Sequence, residues 1–312
     1  MTNLTDPIYT NEDAARAHFE ALRWPTGRVC PHCGTVDNST LMQGKSHRPG
    51  LYKCKDCRKP FSATMGTVYE RSHIPLHKWL LATQLLVSSK KGMSAHQLYR
   101  MLGFGSYRTA WFMAHRIREA MTPSGDLPPM GSDGGMVEVD ETYIGRRKGV
   151  QMGRGGGRHK MQVVALIDRS SGEARSFSIE DAKLRTIALT LEANVSPNAH
   201  LMTDEWRPYR SLGWNFANHS TINHRSLEYV SRDDRSIHTN TVEGFFSIFK
   251  RGMRGIYQHC GEQHLKRYVT EFAFRYTYRS ANGVSDTERA AKAVAGTVGK
   301  RLMYRQADCL AA

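Results

Sequence analysis

The stretch MVEVDETYI, Met136–Ile144, indicates the fold of the C-terminal half of this chain. Apolar and acidic side chains alternate along it, and this pattern predicts a β-strand with one apolar face and one acidic face. Asp140 and Glu138 share the acidic face, whereas Glu141 points the other way. The strand therefore offers a carboxylate to a site on that face, with Asp140 as the first candidate.

The elements that follow this strand come in a recognisable order. The sequence predicts strands at residues 161–168 and 174–179, a helix at 184–195, a buried strand at 197–203, a helical segment WRPYRSLG, a short strand at 219–224 and a long helix at 241–256. Residues 145–160 form a basic, glycine-rich excursion, which we interpret as a hairpin tip that contacts phosphates. This order is that of the α/β ribonuclease H-like fold with a mixed five-stranded sheet.

Three acids occupy the places where that fold needs catalytic carboxylates. Asp140 is on the first strand, Asp204 directly follows the fourth, and Glu243 is in the first turn of the last helix. Converging carboxylates repel one another unless a divalent cation neutralises them, and their hard oxygens suit Mg2+ or Mn2+. Two such ions about 3.5–4 Å apart activate an attacking hydroxyl and stabilise the leaving oxygen of a phosphoryl displacement. We therefore predict a catalytic Mg2+ or Mn2+ site.

Each ligand position has an alternative. Taken singly, any of the three acids can cap a turn or favour a helix N-terminus. Glu138 is the main alternative for the first ligand, and His238 and Asn240 are alternatives for the third. The element order favours the three-acid set.

Lys250 follows Glu243 by seven residues, which is close to two helical turns. The two side chains are therefore expected on one face of the helix, where an ammonium group can hold a DNA phosphate near the metal site. A solvated surface lysine is the alternative interpretation.

Two CxxC pairs lie near the N-terminus, Cys30 with Cys33 and Cys54 with Cys57, separated by 20 residues. This spacing is typical of a four-cysteine structural Zn2+ site, and Gly34 suits the turn after the first pair. The intervening residues are expected to form short strands, which makes the unit a zinc ribbon. The alternatives are two unrelated buried thiol pairs and a redox role.

The pattern of residues 71–121 predicts three helices separated by glycine turns. Ser94 and Ser106 are the predicted N-caps of the second and third helices. A short helix, a turn and a longer basic helix is the helix-turn-helix pattern of DNA-binding proteins. Arg108, Arg116 and Arg118 on the last helix are the predicted DNA contacts. A helical hairpin that packs on a neighbouring domain is the alternative.

The sequence predicts five segments. They are a zinc ribbon with an N-terminal helix at residues 1–70, the helix-turn-helix segment at 71–121, a proline- and glycine-rich linker at 122–136, the ribonuclease H-like catalytic domain at 137–280, and a helical C-terminal tail at 281–312.

The composition describes a globular, strongly basic protein, with 40% hydrophobic residues, a formal charge of +15 and a pI near 9.7. Such an excess of positive charge favours a nucleic-acid partner, because phosphates that are neutralised by Lys or Arg release their counterions. No apolar run reaches the roughly 18 residues that span a bilayer, so no membrane partner is expected. The N-terminus lacks a signal-peptide pattern, which predicts a reducing cytoplasmic setting in which Cys260 and Cys309 are free thiols.

These segments together resemble the insertion-sequence transposases of the DDE class that begin with a zinc ribbon. The resemblance is carried, in order along nearly the whole chain, by RWPTGRVCPHCG at residues 23–34, YKCKDCRKPFSATMGT at 52–67, VEVDETYIG at 137–145, TDEWRPY at 203–209, HTNTVEGFFSIFKRGMRGIY at 238–257 and EFAFRYTYR at 271–279. Members of this group carry Glu, Asn or His at the third catalytic place.

The resemblance implies an enzyme of DNA transposition in bacteria. It would bind the terminal inverted repeats of a mobile element, nick the 3' ends by metal-assisted hydrolysis, and join them to target DNA by strand transfer. A homo-oligomer on DNA and a cytoplasmic, nucleoid-associated location are expected. Two alternatives remain open, a hydrolytic nuclease or resolvase of the same fold, and a non-enzymatic zinc-ribbon DNA-binding regulator.

Overall fold

The computed structural model describes residues 3–152, 157, 159–224 and 228–303, so Cys309 and part of the excursion at residues 145–160 lie outside the described residues. The chain divides into two compact units. The first contains the chain up to Ser89, Met93–Thr122 and the residues from Ser285 onward, and the second contains Lys90–Gly92 and Pro123–Val284.

The first unit begins with a helix and a small sheet. The helix α1 (Glu12–Arg23) starts at Asn11, whose side chain accepts hydrogen bonds from the Asp13 and Ala14 amides. The antiparallel sheet contains β1 (Ser39–Leu41), β2 (Leu51–Cys54) and β3 (Pro60–Ser62) in that order. Tyr52 and Phe61 form its small core beside the buried cysteines. The predicted zinc-ribbon architecture is confirmed.

The described part of the first unit also contains the α-helices α2 (Leu76–Ser88), α3 (Ala95–Met101), α4 (Tyr107–Ala120) and α9 (Asp286–Ala295). Ser94 and Ser106 cap α3 and α4 with their hydroxyl groups, as predicted from the sequence. Gly103, in the turn between them, has a φ of +60°, which suits a glycine. The helix α9 packs on α2, where Arg289 donates to the carbonyl of Val87, so the C-terminal helix returns to the N-terminal unit.

The second unit is built on one mixed sheet. Its strands are β4 (Met136–Ile144), β5 (Met161–Asp168), β6 (Ala174–Ile179), β7 (His200–Asp204) and β8 (Asn218–Ile222), in the spatial order β6-β5-β4-β7-β8. The strands β4, β5 and β6 are antiparallel, whereas β7 and β8 run parallel to β4. The predicted ribonuclease H-like architecture with a mixed five-stranded sheet is confirmed.

Helices cover both faces of this sheet. On one face lie α5 (Leu184–Asn194) and α6 (Arg207–Leu212), and on the other α7 (Asn240–Gly252) and α8 (Glu262–Thr277). Alternate residues of β5 enter the two cores, for example Val164 on one side and Ala165 on the other. All eight residues of β5 are therefore buried, which explains its continuous apolar run.

The helix predicted at residues 241–256 ends earlier than expected. The helix α7 ends at Gly252 and continues as a π-helical turn, Met253–Tyr257. A side chain at Gly252 would collide with the Phe272 ring and the Lys91 carbonyl, so the helix approaches its neighbours closely there.

No helix in the described ranges combines the length and apolar character needed to cross a membrane.

Candidate active site and metal centre

Asp140, Asp204 and Glu243 lie near one end of the mixed sheet. Glu138 on β4 pairs with Met202 on β7, and two residues further along these parallel strands come Asp140 and Asp204. Glu243 is in the first turn of α7, on the sheet face that Asp140 shares. The three predicted ligands therefore come from a central strand, its parallel neighbour and a helix.

The electrostatics of Asp140 indicate that these acids are close enough to interact. Burial raises the pKa of Asp140 well above its ordinary value, and the charges of Glu141, Asp204 and Glu243 raise it further. Such mutual repulsion is what a bound divalent cation relieves, and carboxylate oxygens suit Mg2+ or Mn2+. Across the described residues, however, only the four cysteines bring all their ligand atoms within 4.8 Å of one another.

Glu243 has two polar neighbours that the sequence did not single out. His224 places its Nε2 3.2 Å from Oε1 of Glu243, and the hydroxyl of Thr239 donates to the same oxygen at 3.4 Å. His224 follows β8, while Thr239 directly precedes α7. Sequence spacing carries no signal for His224, because the loop geometry alone brings it to Glu243.

Glu141 belongs to the β4 face opposite Asp140, which is the face of Val139, as the alternation predicts. The hydroxyl of the buried Tyr209 on α6 donates to Glu141 Oε2 at 2.7 Å. Burial raises the pKa of Glu141, the Tyr209 hydrogen bond lowers it, and the charge of Asp204 raises it. The tyrosine of the TDEWRPY motif is thus a buried partner of an acid next to Asp140.

Glu138, the alternative first ligand, is fully buried. Its Oε1 lies 2.5 Å from Nε of Arg169, and its Oε2 accepts the Val242 amide hydrogen bond at 2.8 Å. Both carboxylate oxygens of Glu138 therefore have protein partners.

The alternatives for the third ligand lie at the start of α7. The Nδ1 of His238 is 2.7 Å from Nη2 of Arg169, and burial followed by the Arg169 charge lowers the pKa of His238. The Glu138 carboxylate, whose Oε1 is 3.3 Å from the same Nδ1, opposes this shift by raising the pKa. Asn240, the first residue of α7, is exposed.

Lys250 lies in the last turn of α7, partly buried, with Nζ 6.0 Å from the centre of the Phe246 ring. Phe246, Phe249 and Met253 are buried in the core under α7, as the predicted apolar stripe requires.

The three arginines predicted to bind DNA differ in exposure. Arg108, in the first turn of α4, is exposed. Arg118 is only 2% exposed, and Arg116 donates to the carbonyls of Leu302 and Glu70 and lies over the rings of Trp79 and Phe112. The second half of α4 thus uses its basic side chains inside the first unit, because it packs there on other elements.

The four cysteines form a compact ligand set. Their Sγ atoms are 3.7 Å apart for Cys30 and Cys57 and 3.6 Å apart for Cys33 and Cys54. Four thiolates at about 2.3 Å from a tetrahedral Zn2+ are separated by about 3.8 Å, so the sulfurs fit that ion. Gly34, with a φ of +80°, donates its amide to the Cys30 carbonyl and closes the predicted turn.

The thiols of this set differ in acidity. The hydroxyl and amide of Thr35 lower the pKa of Cys33 to about 6. The Lys59 amide lowers that of Cys57, but burial and the other three sulfurs outweigh it and raise the pKa to about 12. Four thiolates together therefore need a cation.

Two family models match the chain. Residues 133–277 match the ISXO2-like transposase domain, and residues 10–60 match the transposase zinc-ribbon domain. Together the two models match more than half of the chain.

Two further proteins are similar. The chain is 28% identical over 286 residues to an uncharacterized protein in transposable element ISH50 of Halobacterium salinarum, covering 86% of this chain and 91% of the relative. A simian T-cell lymphotropic virus intasome in complex with PP2A regulatory subunit B56 gamma aligns at 13% identity and a TM-score of 0.29, over 60% of this chain and 66% of that one, which is too distant to carry an argument. From the family models, the chain carries a transposase zinc-ribbon domain followed by an ISXO2-like transposase domain.

Proposed function

We propose that the protein is a metal-dependent DNA transposase of the DDE class. It binds the inverted repeats at the ends of its element, nicks the 3' ends by hydrolysis and joins them to target DNA. The observation that carries this proposal is the grouping of Asp140, Asp204 and Glu243 at one end of the sheet, in a chain that carries a transposase domain.

The proposed catalytic ligands of Mg2+ or Mn2+ are Asp140, Asp204 and Glu243. Asp140 is preferred to Glu138, because both oxygens of Glu138 already have protein partners. Bound divalent cations activate an attacking hydroxyl and stabilise the leaving oxygen of a phosphoryl displacement. The chain itself supplies the fixed positions of the three carboxylates and the hydrogen bond from Thr239 that orients Glu243.

The proposed metal of the ribbon is a structural Zn2+ held by Cys30, Cys33, Cys54 and Cys57. Four sulfur ligands complete a tetrahedral shell and leave no open catalytic position. The ion is expected to stabilise the ribbon, because thiolates without a cation repel one another.

For DNA binding we propose contacts from Arg108 and Lys250. The N-terminal residues of a recognition helix are those that reach base edges, and Arg108 is exposed in the first turn of α4. Arg116 and Arg118 stay predicted contacts, but Arg118 is buried and Arg116 donates to the Leu302 carbonyl within the first unit, so the proposal gives the first place to Arg108. Two element ends held at once also make a homo-oligomer on DNA part of the proposal.

The test is a strand-transfer assay. Labelled DNA carrying the two ends of the mobile element is incubated with the zinc-loaded protein, a target plasmid and Mg2+ or Mn2+. We expect nicked 3' ends and joined products that disappear with EDTA. Nicking without joining would assign the chain to hydrolytic nucleases, and DNA binding without nicking would assign it to regulators.

A further inference from the structure

The first turn of α7 is held by a buried network of hydrogen bonds that has no part in the proposed reaction as described above. Thr239 is the N-cap residue of α7, yet its side chain makes no capping hydrogen bond. The hydroxyl of Thr239 is directed to Glu243 and His224 instead. A helix start buried in this way needs another acceptor for its amide groups.

Glu138 supplies that acceptor from β4. Its Oε2 accepts the amide of Val242, the third residue of α7, at 2.8 Å. A carboxylate at this position satisfies an amide that has no partner within the helix, and its charge favours the positive end of the helix dipole. Glu138 is two residues from Asp140, and Val242 directly precedes Glu243. This hydrogen bond therefore joins the strand of the first acid to the helix of the third.

Arg169 closes the network on its other side. Its Nε lies 2.5 Å from Glu138 Oε1, and its Nη2 donates to the His238 carbonyl at 2.6 Å and to the His238 ring at 2.7 Å. It also donates to the carbonyl of Ser236. One guanidinium thus binds both the buried carboxylate and the segment that leads into α7. The planar fork of an arginine can do this, whereas a lysine ammonium offers a single point charge.

We propose that Glu138 and Arg169 are positioning residues that set the distance between Asp140 and Glu243 and so determine the affinity of the acidic metal site. This inference rests on the proposed function for its chemistry, but it concerns only residues of the described chain. Glu138 itself holds no metal, because both of its oxygens are bound within the network.

The experiment compares two buried ion pairs of the same unit. Arg169 pairs with Glu138 beside the acids, whereas Arg275 pairs with Glu271 within α8, at 2.5 Å in both cases. The variants Arg169→Met, Arg169→Lys and Arg275→Met are prepared as zinc-loaded full-length protein. The dissociation constant of Mn2+ alone is measured by calorimetry, and the melting temperature of each zinc-loaded variant is recorded without added Mn2+.

We expect Arg169→Met to weaken Mn2+ binding by about 10–100-fold, as for other outer-shell partners of metal ligands. Arg169→Lys should recover part of that loss, because it keeps the charge. Arg275→Met should lower the melting temperature comparably but change the Mn2+ dissociation constant by no more than about twofold, because distant sites act independently. If Arg169→Met does not fold, the comparison of Arg169→Lys with Arg275→Met decides the question.

Three results would overturn the inference. Equal Mn2+ affinities for the Arg169 and Arg275 variants would leave Arg169 a purely structural role. Equal affinities for Arg169→Met and the wild type would do the same. Tighter Mn2+ binding by Arg169→Met would make the released Glu138 a ligand.

The proposed function has separate controls. If Asp140→Asn binds Mn2+ as well as the wild type does, and the wild type does not nick DNA, the proposed function fails. If the wild type nicks DNA while Arg169→Met binds Mn2+ normally, only the positioning role fails.

Discussion

The two candidate metal sites of this chain are assembled in different ways. The cysteine site takes its ligands from two tight turns, and Cys30 and Cys57 are only 27 positions apart. The acidic site joins Asp140 on β4 to Glu243 on α7, which lie 103 positions apart. A local site can be predicted from spacing alone, whereas a site assembled from distant elements depends on the contacts that hold those elements together.

The largest effect is expected in the local site. Cys54→Ser removes a buried thiolate, and a structural Zn2+ contributes about 10–16 kcal/mol of apparent binding free energy to small domains of this type. We therefore expect loss of stoichiometric zinc and rapid proteolysis of residues 30–57, measured by elemental analysis and limited digestion. Cys260→Ser, at a partly buried thiol elsewhere, is the control. Unchanged zinc content in Cys54→Ser would break the comparison.

The assembled site should lose its activity while keeping its fold. Asp140→Asn removes a ligand charge, so nicking and joining should fall by about 10²–10³-fold or more, as when a main electrostatic contributor is lost. End binding, measured by gel shift, should stay intact, because the basic contacts are elsewhere. Without metal, the variant should melt above the wild type, because one of the repelling charges is gone. Full nicking by Asp140→Asn would move the first ligand to Glu138.

The basic side chains of α4 also differ, because Arg118 is buried whereas Arg108 is exposed. Arg118→Ala should destabilise the first unit by about 0.5–3 kcal/mol, because it truncates a long side chain that is only 2% exposed. Arg108→Ala should leave the melting temperature nearly unchanged but reduce the slope of log K against log salt by about one. Thermal melts and salt-dependent binding measure the two effects. A reversed pattern would show that α4 presents its second half to DNA.

The smallest effect on stability is expected at Lys250. Lys250→Ala should weaken binding of nicked element ends and slow joining, with unfolding free energy within about 0.5 kcal/mol of the wild type. Arg251→Ala is the matched control, because that arginine is exposed and donates to Ser247 within the helix. If both variants join DNA equally well, Lys250 is an ordinary surface lysine.

The sequence predicts features that depend on neighbouring residues. Ser94 and Ser106 cap their helices, and Gly34 forms the turn that follows Cys33. The strands of the second unit lie within a few residues of their predicted positions. Features that depend on remote contacts were not predictable. Arg116 donates a hydrogen bond to a carbonyl 186 positions away in the chain, and Glu138 accepts one from an amide 104 positions away. No periodicity or spacing encodes such contacts, because the fold creates them.

The central claim is that the acids bind the catalytic metal, and metal-specific rescue of Asp204→Cys tests it most directly. A thiolate at that position is a poor ligand for Mg2+ and a better one for Mn2+. Nicking of labelled element ends by this variant should therefore be lost in Mg2+ and restored, at least in part, in Mn2+, while the wild type works in both. Equal nicking by Asp204→Cys in the two metals would contradict a ligand role for Asp204.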